Sequence, residues 1–251
     1  MASLLKFFRH TVITTFMAVS VVAVLVVADQ AADLRLVADA SAQDAPKKKE
    51  RETRKTPALR NNIYEKLAEA QVFAEAQQFA EAEEVLNEML DATSKKSKLN
   101  KYELANVYNT YAYLRYAVED YAGALNYYRK VIDQRPEIPL ALEIGTLYTV
   151  AQLYFLQEEW QKGIDTLNQW MAASDNPSTN AYVLLANGYY QLKDYDKSLF
   201  NIETAIERDQ AAAKLPTEQW YNLARFIYFD RDQYRKALYI LDILIMYYPK
   251  K

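Results

Sequence analysis

Carboxamides and aromatic rings at helical spacing are the side chains of this sequence best placed to do chemistry, because the usual catalytic groups are scarce. The chain of 251 residues has no cysteine and a single histidine, His10. It therefore lacks the commonest nucleophile, general base and transition-metal ligands. We expect a protein that is not an enzyme and that holds no metal and no cofactor.

The candidate binding residues recur three, four or seven positions apart, so that each group lies on one face of a helix. Aromatic rings suit the apolar side chains of an extended peptide, and carboxamides pair with its backbone. Lys and Arg are absent from these positions, which therefore do not match a clamp for two carboxylates. The alternative for any single aromatic residue among them is that it packs in the core between repeats. The predicted peptide-binding groove consists of Asn106, Asn109, Tyr113, Tyr116, Tyr148, Gln152, Phe155, Asn187, Tyr190, Asn222, Phe226 and Phe229.

Five short signatures, each an aromatic residue followed three positions later by a small one, set the frame for this groove. They recur every 35 to 42 residues and begin at Phe79, Tyr121, Trp160, Tyr195 and Tyr234. Twelve positions before the small residue of each signature stands another small residue, with Arg225 as the exception. A fixed period of this size indicates a solenoid, and paired small residues let two helices cross closely.

This pattern resembles the tetratricopeptide repeat, a helix-turn-helix unit of about 34 residues. We predict an all-α tetratricopeptide-repeat solenoid of about five helix-turn-helix units, with ten helices from about Pro57 to Tyr248 and no sheet. Thr56 and Pro57 predict the first helix start, and Asn100 with Glu103 predicts a capping box. An irregular helical bundle is the alternative.

The first 42 residues have the features of an export signal. Lys6 and Arg9 precede an uncharged apolar run, residues 12–28, and small residues at Ala40 and Ala42 offer a cleavage site. The run is close to the lower limit for a membrane span, so a cleaved signal peptide and a retained inner-membrane anchor both stay open. In either case we expect the repeats in the periplasm.

Residues 43–55 predict a basic, disordered linker, because they offer no apolar side chain for a core. A solvated tether is one interpretation, and electrostatic attraction to anionic lipid or an acidic partner is the other. Residues 56–251 then form the repeat domain. The formal net charge of the whole chain is only −3, so no global field favours nucleic acid.

Several stretches resemble a family of exported tetratricopeptide proteins, whose members accompany TonB–ExbB–ExbD energy-transduction genes in marine and related gammaproteobacteria. The resemblance implies a periplasmic protein-binding adaptor or scaffold, accessory to TonB-dependent outer-membrane uptake, that binds a component of the system. A scaffold in envelope biogenesis (outer-membrane, pilus or peptidoglycan assembly) and a peripheral subunit of an enzyme complex are alternatives. The stretches that carry the resemblance are Thr56–Gln71, Leu142–Trp170, Asn176–Leu199 and Pro216–Lys251.

The last predicted helix, Lys236–Tyr248, is rich in Leu, Ile, Met and Tyr and has little polar outer face. A solenoid needs a polar cap at its end. We therefore expect a partner or a second copy to cover this helix, unless the chain is a shortened relative or a fragment.

Overall fold

The computed structural model describes Arg54 and residues 57–91 and 98–249. The chain divides into two units, Met1–Lys55 and Thr56–Lys251. The predicted signal segment, and the linker apart from Arg54, lie outside the described residues. Within the described part of the second unit there are ten α-helices and no strand. The helices are α1 (Asn61–Glu75), α2 (Phe79–Leu90), α3 (Lys101–Ala117), α4 (Tyr121–Ile132), α5 (Leu140–Leu156), α6 (Trp160–Ala173), α7 (Thr179–Gln191), α8 (Tyr195–Ala211), α9 (Glu218–Asp230) and α10 (Tyr234–Tyr247).

The ten helices form five helix-turn-helix units that stack in chain order. Within each unit the first helix packs on the second, and the second helix contacts the first helix of the next unit. Helix α1 also contacts α3 directly. Contacts limited to neighbouring units are the defining property of a solenoid. The predicted all-α solenoid of five units is therefore confirmed.

The turn inside each unit has the same backbone in all five units. In the third unit, the Glu159 N–H donates to the Tyr154 carbonyl at 2.9 Å, and the Glu158 N–H donates to the Phe155 carbonyl at 3.1 Å. This pair of bonds closes the first helix as a Schellman motif, which places one residue in the left-handed region. Each second helix then begins at the aromatic residue of its signature. The five left-handed residues have φ between 56° and 61° and are Gln77, Glu119, Glu158, Lys193 and Asp232.

The paired small residues are buried where the two helices of a unit cross. Ala112 and Ala124 are both 0% exposed in the second unit. In the fourth unit the buried Ser198 hydroxyl donates to the Ala186 carbonyl at 2.7 Å, which ties the two helices together. The fifth unit departs from this pattern, because Ala224 is buried there and Arg225, one position later, is half-buried.

Helix starts agree with the sequence in part. The capping box is confirmed, since the Glu103 N–H donates to Asn100 Oδ1 and the Asn100 N–H donates to Glu103 Oε2, both at 2.9 Å. The predicted start at Pro57 is wrong, because α1 begins at Asn61 and Arg60 is its N-cap. A contact across units explains the shift. The Arg60 guanidinium donates to both oxygens of the buried Glu103 carboxylate at 2.7 Å, which fixes the chain just before α1.

Candidate functional site

The predicted groove residues lie on the first helices of units two to five, each group on one face of its helix. On α3, Asn109, Tyr113 and Tyr116 are half-buried and follow one another at four and three positions. On α7, Asn187 and Tyr190 are half-buried in the equivalent places. Half-buried side chains of this kind have one side in the protein and one side open to a ligand. The structure therefore places three of these residues on one face of α3 and the other two on one face of α7.

Two carboxamides of the groove are oriented by their own helices. Asn106 Nδ2 donates to the Tyr102 carbonyl and Asn187 Nδ2 donates to the Val183 carbonyl, each at 2.8 Å. Only the amide nitrogen can donate to a main-chain carbonyl, so these bonds fix which end of each amide is which. The side-chain oxygens of Asn106 and Asn187 remain as acceptors. The groove thus presents acceptors suited to the N–H groups of a peptide.

Each unit from the second to the fifth also has an aromatic pair that joins its two helices. Tyr116 contacts Tyr121 with ring centroids 5.4 Å apart, and Tyr190 contacts Tyr195 at 5.8 Å. Burial raises the pKa of both groove tyrosines, and for Tyr190 the carboxylate of Asp230 in the next unit raises it further. The signature aromatics therefore hold the groove aromatics in place.

The third unit differs, because two of its predicted groove residues are in the core. Gln152 is 6% exposed and Phe155 is 1% exposed. A Cβ atom added at Gly163 or Gly188 would lie only 2.8 Å or 2.7 Å from the nearest Phe155 ring atom. Phe155 is therefore wedged between two helices that approach it through glycine. Sequence spacing alone did not separate it from the groove.

The groove side of this unit is open at a different residue, Gly145. It takes the position in α5 that Asn106 takes in α3, and nothing lies within 4 Å of an added Cβ. Tyr148, three residues later, is half-buried with its ring 4.8 Å from Trp170. Burial raises the pKa of Tyr148. The groove side of α5 thus has open space at Gly145 and a half-buried ring at Tyr148.

The fifth unit exposes the largest apolar groups of the groove. Phe226 is 46% and Phe229 is 59% exposed, and Phe229 pairs with Tyr234 at 5.5 Å. The guanidinium of Arg225 lies 4.5 Å from the Phe226 ring centroid and donates to Asn222 Oδ1 at 3.2 Å. A cation therefore belongs to this end of the groove.

Position-by-position reasoning missed Arg225 as a groove residue. Its Nε is buried and has no hydrogen-bond partner within the described part of the chain. The available sign was the break in the pattern of small residues, where this arginine replaces the alanine of the other four units. The long side chain leaves the helix crossing and reaches the groove.

Neither a metal site nor a membrane span is found among the described residues. They contain no group of three or more His, Cys, Asp or Glu side chains placed to hold a metal ion. No helix in residues 57–91 and 98–249 combines the length and the apolar character needed to cross a membrane. The predicted anchor, residues 12–28, lies outside the described residues.

Comparison with known proteins identifies the fold alone. No protein-family model matches the sequence, and no curated protein matches it. Solved structures do match. The apo form of RapI has a TM-score of 0.55 and 12% identity, over 74% of this chain and 69% of that protein. MamA from Desulfovibrio magneticus RS-1 has a TM-score of 0.55 and 16% identity, over 75% of this chain and 96% of that one.

YrrB, a TPR protein with an unusual peptide-binding site, has a TM-score of 0.56 and 16% identity, over 76% of this chain and 89% of that one. Identities this low carry no information on partners or on compartment. The TM-scores agree with the all-helical solenoid of stacked helix pairs described above. The chain therefore has the fold of a tetratricopeptide-repeat solenoid.

Proposed function

We propose that this protein is a non-catalytic adaptor that binds an extended segment of a protein partner in the groove. One observation carries the proposal. The groove combines half-buried rings with oriented carboxamide oxygens, and these recur on the first helices of separate units. Rings supply contact area at low entropic cost, and carboxamides satisfy a peptide backbone whatever its sequence.

The composition of the groove indicates the kind of peptide. The oxygens of Asn106 and Asn187 accept from main-chain N–H groups. Exposed Phe226 and Phe229 suit apolar side chains near one end of the segment. Arg225 beside them suits a carboxylate or a carbonyl oxygen at that end. YrrB is described as having a peptide-binding site, and a peptide ligand in the same fold supports this proposal.

A pair of triple variants tests the groove against the rest of the surface. Asn109, Asn187 and Asn222 are changed together to Ala in the first variant. In the control, three exposed carboxamides outside the groove are changed to Ala, namely Asn62, Asn126 and Asn168. We expect the first variant to lose its partner in a pull-down from an envelope extract, and the control to keep it, with equal helicity by circular dichroism. Equal binding by both variants would show that the partner does not bind in the groove.

Gly145→Gln provides an independent test, because this substitution should weaken partner binding while it stabilises the protein. The new side chain enters open space in the groove, and replacing a mid-helix glycine stabilises the helix by about 0.5–1 kcal/mol. We expect a higher melting temperature together with weaker partner binding. Because the variant would be more stable, unfolding could not be the cause of its weaker binding. Unchanged binding would mean that the ligand does not pass over α5.

We further propose that the adaptor works in the periplasm, as an accessory to TonB-dependent outer-membrane uptake. The features of residues 1–42 support export, and the resemblance described above supports the TonB association. Alkaline phosphatase fused after Lys251 should be active, since this reporter requires export; an inactive fusion at normal expression contradicts export. Co-purification of TonB, ExbB or ExbD homologues supports the association. Co-purification of outer-membrane, pilus or peptidoglycan assembly proteins instead favours the scaffold in envelope biogenesis.

Deleting the basic linker tests whether its positive charge, rather than the groove, binds the partner. Deleting residues 47–55 removes all six Lys and Arg residues of the linker. Exposed charges are screened beyond about 8–10 Å at physiological salt, so we expect only a modest loss of binding, seen chiefly at low salt. If this deletion abolishes binding while the groove triple variant does not, the linker is the binding element.

A further inference from the structure

The middle of the groove, on α5, is recessed relative to the units on either side. Three residues of α5 stand on its groove side at positions i, i+3 and i+7, namely Gly145, Tyr148 and Gln152. Gly145 has no side chain and open space above it, and Gln152 is only 6% exposed. In the second and fourth units the same three positions hold side chains that are half-buried or exposed. We call Gly145, Tyr148 and Gln152 the central recess.

Gln152 is a buried carboxamide without a partner. Neither its side-chain oxygen nor its side-chain nitrogen forms a hydrogen bond with any described residue. Fully enclosed polar side-chain atoms without a partner occur, within the described part of the chain, only at Gln157 Nε2 and Arg225 Nε. The amide of Gln152 therefore reaches solvent at the bottom of the recess, although the side chain as a whole is buried. A largely desolvated amide of this kind costs stability until a ligand pairs with it.

The carboxamides of the neighbouring units differ from Gln152 in this respect. Nδ2 of Asn106 and Nδ2 of Asn187 each donate to a carbonyl of their own helix, so these two residues offer only their oxygens. Gln152 offers both an N–H donor and an oxygen acceptor. An amide with both ends free can pair with the N–H and the C=O of one peptide residue at the same time. A peptide main chain, rather than a charged group, is therefore the chemistry that Gln152 fits.

The direction of the Gln152 side chain brings this contact close to Gly145. The two residues are separated by two helical turns, about 10 Å along the helix axis. Side chains of an α-helix lean toward its N-terminus, so the amide of Gln152 lies over the turn that contains Tyr148. One ligand residue can therefore bond Gln152 through its main chain and place its side chain on Gly145.

The surroundings of Gly145 indicate the kind of side chain that fits there. The Tyr148 ring stands one turn away, half-buried and packed against Trp170 with ring centroids 4.8 Å apart. No residue of the central recess carries a charge. Nothing lies within 4 Å of a Cβ atom added at Gly145, so the space accepts more than a methyl group. The recess therefore suits a large apolar side chain, which the tyrosine ring covers on one side.

From these observations we propose that the central recess is the specificity site of the groove. A large apolar anchor residue of the bound peptide lies on Gly145, and Gln152 pairs with the main chain of that same residue. This inference rests on the proposed function, because it states which residue of the peptide the groove selects.

A double-mutant cycle between peptide and protein tests the anchor residue. The probes are peptides selected on the purified protein from a random phage-displayed library, then synthesised and titrated by fluorescence anisotropy. We expect them to share a large apolar residue at one position. Its replacement by Ala should weaken binding to the unchanged protein about tenfold or more, because a buried apolar contact is lost. In Gly145→Leu, which fills the recess, the same replacement should have little effect. Asn126→Leu, at an exposed position of α4, is the control and should keep the full effect.

Gln152→Leu separates binding from a structural role of this side chain. Leucine removes the unpartnered amide, so the variant should have an equal or higher melting temperature and yet bind the selected peptides about two- to tenfold more weakly. Methylation of the main-chain nitrogen of the anchor residue should weaken binding to the unchanged protein. It should have little further effect in Gln152→Leu, because the hydrogen bond is already missing there. A lower melting temperature with unchanged binding would show that Gln152 is only structural.

The groove triple variant separates this inference from the proposed function. If the change of Asn109, Asn187 and Asn222 to Ala leaves binding of the selected peptides unchanged, peptide binding in the groove is wrong and the anchor site is wrong with it. A library that yields no bound peptide contradicts both in the same way. If the triple variant loses the peptides but they share no large apolar position, or the Ala replacement costs as much in Gly145→Leu as in the unchanged protein, the groove stands and the recess is not its specificity site.

Discussion

Gly188→Ala and Gly145→Ala are one substitution placed in two different environments, and they test whether Phe155 belongs to the core. At Gly188 the added Cβ lies 2.7 Å from Phe155 Cε1 and 3.0 Å from Ile164 Cγ1. Carbon atoms in good contact are about 3.5–4.0 Å apart, so the ring or the helices must move. At Gly145 the added Cβ meets nothing within 4 Å.

The expected magnitudes follow from two effects. Replacing a mid-helix glycine by alanine stabilises the helix by about 1 kcal/mol at either site. Overpacking at Gly188 costs about 1–3 kcal/mol, so that variant should be destabilised by about 0–2 kcal/mol. The difference between the variants cancels the helix propensity and leaves about 1–3 kcal/mol. For a domain of this size it corresponds to roughly 2–12 °C in melting temperature.

The assay is thermal and urea unfolding followed by circular dichroism at 222 nm, with the unchanged protein measured beside both variants. Gly145→Ala should have a higher melting temperature than the unchanged protein. Gly188→Ala should have a lower melting temperature than Gly145→Ala. Adding Phe155→Leu to Gly188→Ala should recover part of the loss, because the smaller side chain makes room for the new methyl group. Equal shifts for both alanine variants would refute the reasoning. Phe155 would then be free to move and would return to the groove.

Three further predictions concern an ion pair, a turn and a helix crossing. Arg60 holds the pKa of Glu103 below its ordinary value, so the pair stabilises the fold above the unfolded pKa of about 4.3, and this stability is lost as pH falls through the folded pKa. The urea midpoint should therefore fall more between pH 6 and pH 3 in the unchanged protein than in Glu103→Gln; parallel curves would contradict this. Glu158→Gly should raise the melting temperature by a few degrees. The left-handed φ of 61° at Glu158 costs a residue with a side chain about 1–2 kcal/mol, and glycine removes this cost. Glycine also gives the unfolded chain more conformational freedom, which lowers stability by about 0.4–1 kcal/mol. A melting temperature below that of the unchanged protein would show that the turn is not strained. Ala124→Trp should destabilise by about 1–3 kcal/mol or more, because Ala124 is 0% exposed at a helix crossing; an unchanged melting temperature would mean that the repeat register is wrong.

The amino-acid sequence by itself determined the architecture, because the evidence for it is local and repeated. An aromatic residue and a small residue at fixed spacing recur five times, and helix starts such as Asn100 with Glu103 need only neighbouring residues. The structure places all five second helices at the predicted signatures.

Only the tertiary structure decided which of these side chains meet solvent. Phe155 and Phe229 occupy the same repeat position, yet Phe155 is 1% exposed and Phe229 is 59% exposed. The difference lies in the next unit, since Gly188 lets a following helix close over Phe155 and no described helix follows α10. Arg60 in the same way moved the first helix start by pairing with a carboxylate in the next unit, Glu103. Exposure and ion pairing depend on helices distant in sequence, and a pattern within one unit does not contain them.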